Sequence, residues 1–387
     1  NLASVVRQFE TVFRDRITTD DGTKNSTSAD CRLVRLERLQ MGMGIMESHE
    51  KLEVEFTERI DFPFGPAYAV ACNSGTAALH LAIEGLLLPK GSQVIVPEYT
   101  MVAVARAVSL AGLRPVFADV DDNYQIDPNS IREKLTPLTS AIIIVHTYGR
   151  RGNVHEIQNI AKENGLRVIE DCAEYHGGDL NDSGQSDAYT WSFYRNKIVA
   201  GEEGGIVIFR NPDACLLARS LRSQGFTPEH DFLHMPFGHN YRLASTQAAM
   251  ISESLLNMRE NISERRNIAD DYDKAIKSRD PKAKYLASQR CLSDMPWVYP
   301  VQIETEAPID SIVAALNVSG AFTRCGFKPL SEQTEYRGHF RHLNAYDLSR
   351  RTLYFSLDPA IAVPKHDVGK LLFEIHSRLP APRTAHG

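Results

Sequence analysis

Three short segments carry residue types that can do chemistry, and each follows an apolar run. The first is Asn73-Ser74-Gly75-Thr76, after Tyr68–Cys72 and before a helical pattern. Free N–H groups at a helix start, aided by the dipole, make an anion site, and small residues let a phosphate approach the backbone. An ordinary N-cap would look the same. The second is Asp171, at the end of Val168-Ile169-Glu170. A carboxylate at a strand's carboxyl end points into the crevice of an open sheet, where it needs a cation or a protonated ring nitrogen, unless it only caps a turn. The third is Lys197, after Trp191-Ser192-Phe193 and before the glycines 201, 204 and 205. A lysine held away from water loses basicity, and its neutral amine can attack a carbonyl to form a Schiff base; most lysines are instead solvated surface charges. Together, a phosphate cradle, a strand-end carboxylate and an amine 26 residues beyond it match the needs of pyridoxal 5′-phosphate. The cradle anchors the phosphate, the carboxylate keeps the pyridine nitrogen protonated, and the lysine holds C4′ as an imine.

Positioning these groups takes a sheet whose strands end together. Apolar runs at 68–72, 93–96, 115–118, 141–145, 167–170, 188–193 and 205–209 alternate with helical patterns near 76–88, 100–111, 128–135 and 153–164. Strands apolar throughout and separated by helices predict a mainly parallel sheet covered on both faces. A long helix from Thr246 to about Lys277, which could break midway, leads to a smaller α+β portion. There an amphipathic strand is expected at Trp297–Ile303 and helices near 308–318 and 364–378. The expected domains are a large α/β unit over 1–260 and a small C-terminal α+β unit over 261–387, with 1–35 partly mobile. Polar residues 18–32 read as a mobile loop.

Composition narrows the function classes. The chain has 387 residues, 43% of them apolar and 24% charged, with 43 Lys and Arg against 49 Asp and Glu, a net charge of −6. That balance argues against nucleic acid or an anionic membrane as the main partner. No stretch reaches the roughly 18 consecutive apolar residues of a membrane helix, and no secretory signal is evident, so a cytoplasmic location is expected. Cys31, Cys72, Cys172, Cys215, Cys291 and Cys325 lack metal-ligand spacing, so buried reduced thiols are expected, with no bound metal.

The ordered motifs Ser74–Ala82, Val94–Thr100, Pro115–Asp121, Ile126–Pro128, Glu170–Gly177, Ser192–Lys197 and Asn240–Ala249 resemble those of the DegT/DnrJ/EryC1/StrS family. These are PLP-dependent sugar aminotransferases of fold type I, and the likeness covers roughly residues 35–375. The resemblance implies a large domain with a mainly parallel central sheet and a smaller C-terminal domain. It implies that Lys197 carries the cofactor and Asp171 faces its ring nitrogen, with Gly75, Thr76 and Ser192 at the phosphate. Asn240 would reach the phosphate of the neighbouring subunit, giving a homodimer with shared active sites. Arg242, Tyr99 and Ser331 are the expected substrate contacts; Arg242 could equally be a structural ion pair. The implied reaction is ping-pong transfer of an amino group from Glu or Gln, by way of pyridoxamine phosphate, to a keto sugar, most often nucleotide-linked, or alternatively to a keto-cyclitol.

Some positions depart from the family's pattern. Met101 stands where an aromatic residue commonly covers the cofactor ring, and a thioether covers it with looser geometry. Glu174 stands where Gln is frequent, near the cofactor's phenolic oxygen, so it should be protonated or turned away. Glu202 replaces a loop glycine, and Ser331 stands where His is common. The family's dehydratase branch carries His at the position of Lys197, which sets this chain apart from it.

Overall fold

The computed structural model describes residues 48–60, 68–178, 180, 186–226, 232, 234, 237–279, 285–287, 294–338, 343–364, 367, 370 and 371. The segments 1–35 and 18–32, Cys31, Cys291 and nearly all of the helix expected at 364–378 lie outside them.

Helix α1 (Ser48–Arg59) precedes β1 (Tyr68–Cys72), α2 (Gly75–Gly85), β2 (Gln93–Pro97), α3 (Ala103–Leu110), β3 (Arg114–Ala118), α4 (Pro128–Lys134) and β4 (Thr139–Val145). Then follow α5 (Val154–Asn164), β5 (Arg167–Asp171), β6 (Ala188–Ser192), β7 (Gly205–Phe209) and α6 (Pro212–Arg222). These seven strands form one sheet in the order β1-β7-β6-β5-β4-β2-β3. Only β7 runs antiparallel to its neighbours, as expected for a mainly parallel sheet. The central strands are buried almost throughout, because helices cover both faces and leave no side for water. One face packs against α2, α3 and α6; part of the other packs against α1 and α7 (Ser245–Leu256).

Local signals place the helix starts. Ser74, Asp127 and Asn211 each accept a first-turn N–H through the side chain, the last two followed by Pro. Gly165 closes α5 in the left-handed conformation (φ 65°). Helices α1 and α6 were not legible as elements.

The long helix expected over 246–277 is two, α7 and α8 (Met258–Arg279), broken at Asn257. Met258 and Ile262 of α8 join the core under the large sheet, whereas Ala269, Tyr272 and Ile276 join a second core. That second core lies against a four-stranded antiparallel sheet of β8 (Tyr285–Ala287), β9 (Val298–Ile303), β10 (Thr323–Cys325) and β11 (Thr352–Ser356), in the order β10-β11-β9-β8. Helices α9 (Ile309–Val318) and α10 (Leu343–Arg351) complete the described part. Strand β9 is buried at every position, not amphipathic: one side faces the second core, the other a cluster including Tyr148 and Leu348. Cys72, Cys172 and Cys215 are free and buried as expected; Cys325 is partly exposed.

Candidate active site

The three segments singled out from the sequence converge at the carboxyl ends of the central strands. Ser192 ends β6, and a β-carbon added to Gly75 at the start of α2 would meet the Ser192 β-carbon at 2.7 Å and its hydroxyl at 3.0 Å. The hydroxyl thus lies against the opening turn of α2. Glycine at this position is what lets the hydroxyl approach the helix backbone so closely.

Asp171 is the last residue of β5 and is buried. Its Oδ1 accepts the Ala173 N–H at 2.9 Å. Burial raises its pKa, opposed by the Ala173 N–H, Lys197 and His146. Lys197 lies in the loop after β6, partly buried with 10% of its side chain exposed, its Nζ 3.8 Å from Glu174 Oε1. Desolvation pulls the amine's pKa down, while Glu174 and Asp171 hold it up. The Trp297 ring also lies against the amine, its centroid 4.0 Å away.

Glu174 Oε2 accepts the Tyr148 N–H at 2.7 Å. Burial pushes its carboxyl up to about 7, against the pull of Lys197. It is neither turned away nor locked in one form: near neutral pH both protonation states are accessible. Asn240 and Arg242 are exposed, and Asn73 donates to both backbone carbonyls of 240–241, through Nδ2 to Asn240 (3.4 Å) and through N–H to Tyr241 (2.9 Å). The Asn240 segment is therefore stitched to the cradle. Met101 is 54% exposed just beyond β2, and Glu202 is exposed.

Tyr99 and Ser331, two of the expected substrate contacts, are buried and hydrogen-bonded within the fold. Tyr99 is fully buried, its hydroxyl paired with that of Tyr148 (2.9 Å) and accepting the Phe327 N–H (3.1 Å). Ser331 is buried and donates both its N–H (3.0 Å) and its hydroxyl (2.5 Å) to Glu98 Oε1. A large residue at the end of β2 fills the space and satisfies the serine.

Sequence reasoning missed Trp297, Tyr148 and His176. Trp297 had no signal, since only the chain's return from the second sheet brings it to Lys197. Tyr148 adopts φ 61°, a conformation uncommon for a bulky residue, which aims its N–H at Glu174. Gly149 follows at φ 77°, packed so tightly that a β-carbon would strike the Met295 carbonyl. His176 accepts the Val199 N–H through Nδ1 (3.3 Å), and burial lowers its pKa to about 3, so it is neutral beside Lys197.

The model of the DegT/DnrJ/EryC1/StrS aminotransferase family matches residues 37–367. The chain belongs to this family. Among DegT/DnrJ/EryC1/StrS relatives, it is 31% identical over 306 residues to a GDP-perosamine synthase of Caulobacter vibrioides, covering 76% of this chain and 80% of that one. It is 30% identical over 354 residues to a dTDP-4-dehydro-2,3,6-trideoxy-D-glucose 4-aminotransferase of Saccharopolyspora spinosa, covering 82% and 86%. DesV of S. venezuelae, solved in complex with a ketimine intermediate, superposes with a TM-score of 0.77 at 25% identity, covering 91% of this chain and 97% of DesV. The fold is therefore that of fold type I aminotransferases, and the chain is a transaminase of the DegT/DnrJ/EryC1/StrS family. No helix among the described residues is long and apolar enough to cross a membrane.

Proposed function

We propose that this transaminase uses pyridoxal 5′-phosphate to move an amino group from Glu or Gln to a keto sugar carried on a nucleotide. The observation that carries the reading is the largely shielded Lys197 amine, faced by Glu174 at 3.8 Å and acted on by the Asp171 carboxylate, at the same carboxyl ends of the strands as the close approach of Gly75 to Ser192. The residues fit the group. Gly75, Thr76 and Ser192 would hold the phosphate, Asp171 the ring nitrogen, and Lys197 the aldehyde carbon; the tight approach of Gly75 to Ser192 leaves the helix N-terminus bare for an anion.

When bound, the cofactor supplies an aldehyde that condenses with amines and a ring that accepts carbanion charge. The chain's own residues do the rest. Desolvation lowers the pKa of the Lys197 amine, which favours the form in which Nζ would serve as a base toward the proton on the donor's Cα. Asp171, at the carboxyl end of β5, would face the ring nitrogen and favour its protonated form. Glu174, with its carboxyl near 7, can give or take a proton beside Nζ, and the Trp297 ring packs against the same amine. The exposed Arg242 suits the donor carboxylate, since guanidinium pairs with it bidentately.

The nucleotide-linked acceptor is supported by the relatives that act on GDP and dTDP sugars. The proposed assembly is a homodimer in which Asn240 serves the partner's site, and the proposed division of the chain is 1–260 and 261–387. The deciding experiment is an absorbance scan of purified protein with and without Lys197→Ala, followed by keto-sugar nucleotides and keto-cyclitols offered with Glu or Gln. Visible imine absorbance that vanishes in the variant, with turnover of a sugar nucleotide, is expected. A colourless wild type, or a variant that keeps the band, overturns the assignment.

A further inference from the structure

On α2, His80 and Glu84 lie one helical turn apart and so share a face. His239, from the segment before Asn240, joins them. His239 Nε2 is 2.8 Å from Glu84 Oε2, His80 Nε2 is 3.7 Å from Glu84 Oε1, and one ligand-type atom from each residue lies within 4.8 Å of the others. His80 is buried, at 3% exposure. Its Nδ1 pairs with the Tyr241 hydroxyl at 3.1 Å, while Nε2 makes no hydrogen bond of good geometry; the Leu110 carbonyl also acts on the ring. Glu84 and His239 keep 18% and 22% of their side chains exposed, so an ion can enter from solvent.

We propose that His80, Glu84 and His239 form a site for a divalent transition-metal ion of the zinc type. Two imidazoles and a carboxylate are the donor set such ions favour over magnesium or calcium, with water in the fourth position. Tyr241 plays the supporting part: accepting the Nδ1 proton of His80, it leaves the Nε2 lone pair for the metal, as outer partners of metal-bound histidines do. A tetrahedral ion with ligands at about 2.0–2.1 Å needs donor atoms roughly 3.3 Å apart, so small side-chain rotations complete the site. The ion would fasten residues 239–241 to the helix whose first turn is the proposed phosphate cradle. Because Asn73 already bonds the carbonyls of Asn240 and Tyr241, metal and cradle would act on one strap. The site stands independently of the cofactor reading.

Cobalt(II) is the probe. The full chain, stripped with chelator, is titrated with cobalt and followed by visible d–d absorption and by metal analysis after desalting. One cobalt per chain with the intense band of four-coordinate geometry, displaced by zinc, is expected. His239→Ala and Glu84→Gln should each weaken binding at least about tenfold, whereas His155→Ala, at an exposed histidine elsewhere, should not; circular dichroism confirms that each variant is folded. Absence of stoichiometric cobalt in the wild type, or equal binding in both site variants, overturns the proposal and leaves His80 as a core histidine satisfied by Tyr241 and Leu110.

Discussion

Lys197 and its neighbours illustrate how burial and charge oppose each other on single groups. Removing the amine from water lowers its pKa, and the two carboxylates only partly restore it; the same burial pushes Glu174 up to about 7. Glu98 behaves likewise: burial lifts its carboxyl to about 7 although Ser331 donates twice to it. For both glutamates the folded chain keeps, between an ordinary carboxyl's 4.5 and about 7, a proton that the unfolded chain has released. Folded protein binds more protons there, so stability falls as pH rises through that window. Glu98→Gln keeps the acceptor and removes the ionisation. Thermal melts between pH 5 and 8 should show a flatter decline in this variant, the difference reaching at most about 3 kcal/mol at 1.36 kcal/mol per unit. An unchanged slope would show that Glu98 stays ionised.

Elements hold the site through a few joints. Helix α1 is tied to the sheet by Glu53, which is buried, accepts the Ala71 N–H at 2.9 Å and meets Arg222 at 3.3 Å and Arg219. Glu53→Ala strands two guanidinium groups in a poorly hydrated place, and chemical denaturation should show a loss of about 3–5 kcal/mol. Where β1 meets α2, the joint is bare backbone. Gly75→Ala would drive a methyl group into Ser192 and push the hydroxyl and the helix start apart; cofactor retention on dialysis should fall at least tenfold while the fold's circular dichroism persists. Equal retention would mean the phosphate is held elsewhere.

At the scale of the molecule, the second sheet completes what the first begins. Trp297 leads into β9, donates Nε1–H to the Asn196 carbonyl at 2.8 Å, and takes the Arg265 guanidinium on its own carbonyl at 3.0 Å. One residue thus links the lysine loop, α8 and the small sheet. Trp297→Ala should cost about 3–5 kcal/mol in denaturant melts. Trp297→Phe keeps a ring over Lys197, forfeits the Asn196 bond, and should cost about 1–3 kcal/mol. If sites are shared between two copies, mixing Lys197→Ala and Asn240→Ala chains, each inactive alone, should restore part of the turnover. No recovery after subunit exchange would place Asn240 outside the partner's site.

Strand positions, the helix starts after Ser74 and Asp127, and Gly75, Asp171 and Lys197 as candidate site residues were legible in the chain. Those signals are local: a fully apolar run, a capping side chain and a polar residue after a strand each state their burial within a few neighbours. Helices α1 and α6 escaped because their packing faces become apparent only against a sheet they must meet. Trp297 over Lys197, Ser331 turned to Glu98, Tyr99 sealed beside Tyr148, and His80 beside His239 join residues 49 to 233 positions apart. Chain topology and the exclusion of water decided these pairings, since a side chain's partner depends on which strands lie side by side once the backbone has closed.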